Sequence, residues 1–134
     1  MKIQISDGSV TFADGTIGRH TDRPAFLRSR IGKSSKETLV NGPWKTYNMS
    51  PEPGVAGSAI FEGDRLRQLS VLLRLPSDDT TGWSDEAEQQ RLALHDAWLK
   101  AELGEPPYRY SWGQIESSYD ARGGITDIVF AYAD

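Results

Sequence analysis

Two histidines are the side chains in this sequence best suited to acid–base chemistry near neutral pH. His95 is the stronger candidate, because a helical projection places it within the apolar arc of a predicted helix. A carboxylate such as Glu88 or Glu102 could hold His95 as a desolvated general base. The structural alternative is a partly buried imidazole bonded to a backbone carbonyl or to Arg91. Because no nucleophile accompanies the histidine, we predict no catalytic residue.

The sequence offers little support for a metal site or a cofactor site. The chain has no cysteine, which excludes disulfides, thiol nucleophiles and cysteine-ligated zinc or iron–sulfur centres. Arg91 and Leu99 stand four residues to either side of His95, so its helix face lacks a second ligand. The pair His95-Asp96 is similar to that of some metal-dependent phosphohydrolases, but the distant histidine would have to be His20, in a basic segment. We predict no metal site and no cofactor.

Charge is distributed unevenly around the net value of -4. Residues 19–36 contain six basic side chains against one acid, whereas residues 76–105 contain eight acids against two basic side chains. Such polarity is typical either of a nucleic-acid surface or of two segments that neutralise each other. We expect the two segments to pair, so nucleic acid is not a predicted partner.

Aromatic side chains concentrate in the last 52 residues. Protein interfaces favour Trp, Tyr and Arg, and the local acidity opposes binding to phosphate. An exposed patch of Trp83, Tyr108 and Tyr119 beside the acids would indicate a protein interface. The candidate interaction or pocket residues are Glu88, His95, Trp98, Glu102, Tyr108, Trp112, Tyr119 and Arg122. Of these, Trp98 and Trp112 are predicted to lie in the core, with indole N–H groups bonded to backbone carbonyls.

The elements that must position these residues follow from periodicity and turn chemistry. Alternating segments predict a hairpin over 2–12, a strand over 38–49, a hairpin over 58–75 and strands over 108–118 and 125–132. Residues 19–37 are predicted to form a loop with a helical turn. The sequence therefore predicts one α+β domain over 1–134, an antiparallel sheet of about six strands with one long helix on one face.

That helix is predicted to begin at Ser84 or Asp85 and to end at Gly104, before two prolines. Its apolar arc comprises Ala87, Leu92, Leu94, Trp98, Leu99 and Leu103. We expect this arc to face the sheet.

Hydropathy bears on location. No window reaches the roughly 18 apolar residues of a membrane span, and the first residues alternate instead of forming the apolar core of a signal peptide. We therefore expect a cytoplasmic protein without membrane contact, either a monomer or a homodimer formed through sheet edges.

Several C-terminal motifs carry a resemblance. They are His95-Asp96-Ala97-Trp98-Leu99, Leu103-Gly104-Glu105-Pro106-Pro107, Trp112-Gly113-Gln114-Ile115 and Tyr119-Asp120-Ala121-Arg122-Gly123, with Gly42-Pro43-Trp44 further upstream. In these the chain resembles a group of small uncharacterised bacterial proteins. The resemblance implies a bacterial protein and, since the group has no assigned activity, no site residue. In size, acidity and fold class the chain is also similar to bacterial immunity proteins that neutralise toxins.

Two functional hypotheses follow. The leading one is a protein-binding domain, with an acidic helix face or the aromatic C-terminal sheet docking the partner. The alternative is a small-ligand-binding domain or hydrolase. It predicts a pocket of several hundred Å³, roughly the usual size of small-ligand sites, that lies between helix and sheet and reaches His95.

Overall fold

The chain folds into two antiparallel sheets and three α-helices in a computed structural model that describes residues 1–79, 83–120 and 122–133. The first strands are β1 (Lys2–Ile3), β2 (Val10–Phe12) and β3 (Gly15–Ile17). The next are β4 (Lys36–Asn41), β5 (Trp44–Glu52), β6 (Val55–Glu62) and β7 (Arg65–Leu73). The last are β8 (Tyr108–Tyr110), β9 (Gly113–Asp120) and β10 (Ile125–Tyr132). The helices are α1 (Arg23–Arg28), α2 (Arg30–Lys33) and α3 (Asp85–Leu103), with a 3₁₀ turn at Pro76–Asp79.

The main sheet has seven strands in the order β4-β5-β6-β7-β10-β9-β8, and β1, β2 and β3 form the second sheet. The predicted antiparallel α+β fold with one long helix is confirmed, but the estimate of about six strands is wrong. Two segments predicted as single strands are hairpins. Gly42-Pro43 turns the chain between β4 and β5, and Ser111-Trp112 turns it between β8 and β9. Each of these turns doubles the number of strands in its segment.

The order of the strands puts the C-terminal strand in the middle of the sheet. After β7 the chain crosses one face as α3 and returns through β8 and β9. It then enters as β10 between β9 and β7, where Ile128 faces Val71 on one side and Ser117 on the other. This insertion brings the long helix over β7, β10 and β9.

The core lies on one face of the main sheet. Register aligns Leu69, Phe130 and Ile115 across β7, β10 and β9, and all three are buried. Over the other half of the sheet, α1 inserts Phe26 against Tyr47 and Phe61, with ring centroids 5.6 and 5.4 Å away. No described helix covers the opposite face of the sheet, which is the usual arrangement of an antiparallel sheet with one wet side.

The basic segment 19–37 forms two short helices rather than a long loop. Asp22 and Ser29 cap them, because their side chains accept hydrogen bonds from backbone N–H groups in the first turns of α1 and α2. The ion pairs described for this segment join Arg23 to Asp64 and Arg30 to Asp14. The expectation that it pairs with the acids of residues 76–105 is therefore not met by these contacts.

The small N-terminal sheet is held against the C-terminal strands by hydrogen bonds to its backbone. The Trp112 indole donates to the carbonyl of Ile5 at 2.7 Å, and the Tyr132 hydroxyl donates to the carbonyl of Gly8 at 2.8 Å. Trp112 is fully buried, which confirms its predicted place in the core and its bond to a backbone carbonyl. Burial raises the pKa of Tyr132, so the hydroxyl stays protonated as a donor.

The ends of α3 are as predicted, and its inward face is so in part, because Ala87 and Leu99 of the predicted arc are buried. Ser84 is the N-cap and Gly104, with a φ of 85°, ends the helix. Leu94, which the apolar arc places against the sheet, is 39% exposed. The buried positions of the helix include Glu88, Arg91 and His95. The helix therefore presents polar side chains to the sheet. These side chains bond to backbone groups of Leu73 and Thr126 in the strands below.

Substitution Ser84→Ala is expected to lower the free energy of unfolding by about 1 kcal/mol. The Ser84 hydroxyl accepts a hydrogen bond from the N–H of Ala87 at 3.0 Å, and alanine leaves that N–H without its cap. Urea unfolding followed by circular dichroism measures the change. Ser84→Asp, which keeps an acceptor, is the control and should stay close to the wild type. Equal loss in both variants would contradict the capping role.

Candidate functional site

A cluster of buried polar side chains joins α3 to the sheet. Arg91 donates to both carboxylate oxygens of Asp78, at 2.6 and 3.0 Å, and to the carbonyl of Leu73 at 2.6 Å. It also lies 3.3 Å from a carboxylate oxygen of Glu88, whose other oxygen accepts the N–H of Thr126 at 3.1 Å. The guanidinium lowers the pKa of Asp78, and these carboxylates raise the pKa of Arg91. We call Asp78, Glu88, Arg91, His95 and Thr126 the buried polar cluster.

The cluster takes the place of missing bonds between two strands. The ladder of β7 and β10 ends with Val71 facing Ile128, so Leu73 and Thr126 would form the next pair on this face. Instead, helix side chains bond to the N–H and carbonyl of Leu73 and to the N–H of Thr126. Because buried backbone groups must be satisfied, the separation of the strands requires polar residues on the inner face of α3.

His95 is held as a neutral imidazole inside this cluster. Its Nε2 accepts the N–H of Leu73 at 3.0 Å, so the ring proton lies on Nδ1. Burial, with a smaller effect of the nearby Arg91, lowers the pKa of His95 to about 4. The Nδ1 atom is buried and has no hydrogen-bond partner among the described residues. The side chain does not contact solvent, so it serves the fold and not a ligand in this conformation.

A cleft of about 490 Å³ lies beside the cluster, between the C-terminal half of α3 and the outer edge of β9. Asp96, Leu99 and Lys100 form its helix wall. Residues 105–107, with Tyr108, Ile115 and neighbours on β8 and β9, complete it. We call this the helix–sheet cleft. Its size and its place between helix and sheet agree with the predicted pocket.

The predicted contact of this pocket with His95 is wrong. Neighbouring residues on a helix point about 100° apart. The helix directs His95 toward β7 and directs Asp96, the next residue, into the helix–sheet cleft. Leu99, one turn after His95, also lines the cleft, but the His95 ring bonds to the N–H of Leu73 and is not among the lining residues, so no acid–base role in the cleft falls to His95.

The cleft exists because two prolines keep the chain away from β9. Pairing between β8 and β9 begins at Tyr108, which faces Ile115. Pro106 and Pro107 have no N–H to donate to a strand ladder. In the described part of the chain, no strand lies beside the outer edge of residues 116–120. Backbone groups of β9 along this edge therefore have no strand partner among the described residues.

Acids outnumber free cations around the helix–sheet cleft. Lys100 pairs with Glu105 across its mouth at 3.0 Å, and both side chains are largely exposed. Asp96 and Glu116 then face only Arg109 among the lining residues. The Ser117 hydroxyl, also in the lining, is buried and lacks a hydrogen-bond partner within the described residues. The cleft thus combines an acidic rim with an unsatisfied polar group.

Three of the predicted aromatic site residues are fixed by the fold. The Tyr108 hydroxyl donates to the carbonyl of Gly104 at 2.9 Å, and burial raises its pKa. The Tyr119 hydroxyl donates to the carboxylate of Asp85 at 2.7 Å. Trp98 is partly buried and packs on the core. Of these, only Tyr108 lines the helix–sheet cleft.

The remaining predicted site residues are dispersed. Glu88 is buried and Trp112 lies in the core, whereas Glu102 and Arg122 are exposed. The acidic helix face therefore does not include Glu88. Trp83 is 65% exposed and Tyr119 is partly exposed, but Tyr108 is buried, so the predicted patch of exposed aromatics loses one of its three rings.

Sequence patterns alone did not indicate the residues that create the cleft. The pair Pro106-Pro107, shortly after Gly104, is typical of the end of a helix. The same two prolines, placed directly before an alternating segment, also indicate that the strand starts late and leaves its neighbour's edge bare. Glu116 and Ser117 carry no comparable signal, because their role depends on which strand lies beside them.

No family model, curated protein or solved structure matches this chain. Across residues 1–79, 83–120 and 122–133, no helix is long and apolar enough to cross a membrane. In the same residues, no three His, Asp or Glu side chains converge in a way that could hold a metal ion. Functional proposals for this chain rest on its own residues.

Proposed function

We propose that this chain is a protein-binding domain that takes an extended segment of its partner into the helix–sheet cleft as an added strand beside β9. The observation that carries the proposal is the bare outer edge of residues 116–120, whose first two residues, Glu116 and Ser117, line a cleft of about 490 Å³. An extended peptide bonds to such an edge through its backbone and is selected through its side chains. The predicted protein partner and the predicted helix–sheet pocket are then one site.

The edge sets the length of the segment. Five residues, 116–120, extend over about 17 Å at the usual rise of a strand. A partner segment of about five residues would therefore satisfy the free backbone groups of this edge. Exposed strand edges are otherwise prone to unspecific pairing, and the acids along this one restrict what can pair with it.

The alternation of β9 sets the composition of the segment. Glu116 and Asp120 project from the open face of the sheet, as the contact of Glu116 with Gln114 shows. Side chains of the partner that face these two acids would be basic. Its alternate side chains would point toward α3, over Leu99 and Ile115, and would be apolar. The preferred segment therefore alternates basic and apolar residues.

The test uses the blocked peptide Lys-Val-Lys-Val-Lys, titrated into the isotope-labelled chain and followed by NMR. We expect saturable shifts in residues 96–100 and 114–120, and weaker binding of the peptide Glu-Val-Glu-Val-Glu. Variant Glu116→Lys is expected to bind the basic peptide about tenfold more weakly, the size of one lost and one repulsive exposed charge pair. Variant Glu37→Lys, which reverses an exposed acid on β4, is the matched control and should bind normally.

Backbone pairing is tested by methylating the peptide nitrogens. Only alternate N–H groups of an added strand point toward β9. One analogue methylated at the lysines and another methylated at the valines should therefore differ, one losing binding and the other keeping it. Equal affinity of the two analogues, or shifts outside the cleft, would overturn the proposal.

A further inference from the structure

The open face of the main sheet carries a row of polar side chains across four strands. Asn48 on β5 accepts a hydrogen bond from Ser58 on β6 at 2.9 Å. Ser58 faces Ser70 of β7 in the register, and Ser70 lies within hydrogen-bond contact of Asp127 on β10. Gln68 adds an amide donor to Ser70 at 3.1 Å. The row places hydrogen-bond donors and acceptors from four strands on one surface.

This row is the floor of a second cleft, of about 710 Å³, which we call the open-face cleft. The sheet curves around it. Register shifts interrupt the pairing of β4 with β5, of β5 with β6 and of β6 with β7, and such irregularities bend strands. At Gly57 an added Cβ would lie 2.2 Å from the carbonyl oxygen of Ser70, so only glycine permits this approach of β6 to β7. The concave shape is therefore built into the backbone.

The charges of the open-face cleft are few and of opposite sign. Lys36 and Asp127 are the charged residues among its described lining. Burial raises the pKa of Asp127, with a further contribution from Asp120 and an opposing one from the bond with Ser70. A carboxyl so shielded on the wet side of a sheet is unusual, because solvated faces normally keep carboxylates in water. This carboxyl group provides one hydrogen-bond acceptor in the cleft and does not form a cluster of negative charge that would attract cations.

Apolar side chains flank the polar row. Ile60, Leu72 and Ile125 all line the open-face cleft, and Ile125 is 51% exposed. A ligand that fits must therefore present hydroxyl groups to the polar row and C–H surfaces to these side chains. The described lining of the cleft has no cluster of cations, which a phosphorylated ligand would require. A purely apolar ligand would leave the polar row without hydrogen bonds to the ligand.

From this lining we infer that the open-face cleft binds a neutral, hydroxyl-rich molecule of the size of a mono- or disaccharide. The volume falls within the usual range of small-ligand sites, about 300 to 1,000 Å³. Asn48, Ser58 and Asp127 would bond to its hydroxyl groups. The site lies on the face of the sheet opposite α3, and it is independent of the strand-addition site.

The experiment titrates the isotope-labelled full chain with glucose, N-acetylglucosamine, maltose and cellobiose, and with a glucose phosphate as the charged match. At least one neutral sugar is expected to cause saturable shifts in residues 46–50, 56–60, 68–72 and 125–127, and the phosphate should bind at least about tenfold more weakly. Failure of all four neutral sugars, or tighter binding of the phosphate, would overturn the inference.

Two variants locate the site. Asn48→Ala removes an exposed amide and should weaken sugar binding about tenfold, as expected when a ligand group loses its partner. Ser118→Ala, on the same face but outside the described lining, should leave binding unchanged, and dispersed amide signals show that both variants fold. Glu116→Lys, the variant for strand addition, should also bind sugar normally. Equal binding by Asn48→Ala and the wild type would exclude the open-face cleft.

Discussion

Replacing Arg91 by leucine is expected to lower the free energy of unfolding by about 3 to 5 kcal/mol, the cost of breaking a buried ion pair from one side. Arg91 is buried and pairs with Asp78 and Glu88, with its shortest N–O distance at 2.6 Å. Leucine would leave buried carboxylates without a counter-charge and the carbonyl of Leu73 without its donor. Urea unfolding at pH 7 measures the change.

Lys100→Ala is the matched control for this prediction. The Lys100–Glu105 pair has an N–O distance of 3.0 Å, but its side chains are 61% and 74% exposed. Because exposed ion pairs contribute little, the stability of the control should stay close to that of the wild type. A similar small loss for Arg91→Leu would show that the buried polar cluster is solvated or dispensable.

A double variant separates the effect of the unpaired Glu88 charge from the other effects of replacing Arg91. Glu88→Gln keeps an oxygen that can accept the N–H of Thr126 but carries no charge. If stranded charge dominates the cost, the double variant Glu88→Gln/Arg91→Leu should be more stable than Arg91→Leu alone. A strictly additive result would assign the loss to packing and to the Leu73 carbonyl instead.

Acidification between pH 6.5 and about 4 is expected to reduce the free energy of unfolding by about 3 kcal/mol through His95 alone. The unfolded chain takes up a proton on this histidine near its ordinary pKa of 6.5, whereas the folded chain does so only near pH 4. The unfolded state therefore binds more protons in this window, and stability falls as the pH falls. Above pH 6.5 the contribution is fully present.

The groups around His95 have defined effects on its protonation. Arg91 lowers its pKa, and Asp96 and Glu88 raise it. Carboxyl groups also titrate on the acid side. The lowered pKa of Asp78 removes stability as the pH falls, and the raised pKa of Asp127 acts in the opposite direction. Both carboxyl groups are present in the wild type and in the variant His95→Gln. The difference in stability between these two proteins therefore isolates the contribution of His95.

The measurement is a series of urea unfolding curves between pH 4 and pH 7.5 for the wild type and His95→Gln. Glutamine can accept the N–H of Leu73 but has no proton equilibrium in this range, so the variant should lack most of the slope. His20→Gln, at an exposed histidine, is the control and should keep it. Parallel slopes for the wild type and His95→Gln would refute the role assigned to the buried imidazole.

The two proposed binding sites differ in what they need from the fold. Strand addition needs only a bare backbone edge and a few charges on β9, so it should tolerate changes on the open face. The open-face cleft needs polar side chains on four neighbouring strands, from Asn48 on β5 to Asp127 on β10. Loss of one activity without the other in the variants above would therefore identify the site concerned.

Local chemistry in the sequence determined much of the secondary structure. The hairpin of β6 and β7 turns at Gly63, which has a φ of 59°, and α3 begins after Ser84 and ends at Gly104. These features depend on residues within a few positions of each other, so a pattern can report them. The short helices in residues 19–37 were underestimated, because each depends on a single cap and a few core contacts.

Only the tertiary structure decided which face of α3 turns inward and where the clefts lie. Hydropathy alone places Leu94 inside and Glu88 outside, and the fold reverses both because β7 and β10 separate at Leu73 and Thr126. That separation follows from the insertion of β10 between strands distant in sequence. The open-face cleft likewise needs strands from both halves of the chain, and the bare edge of β9 needs the late start of β8 after Pro106-Pro107. They depend on which strands become neighbours, and no short stretch of sequence specifies that.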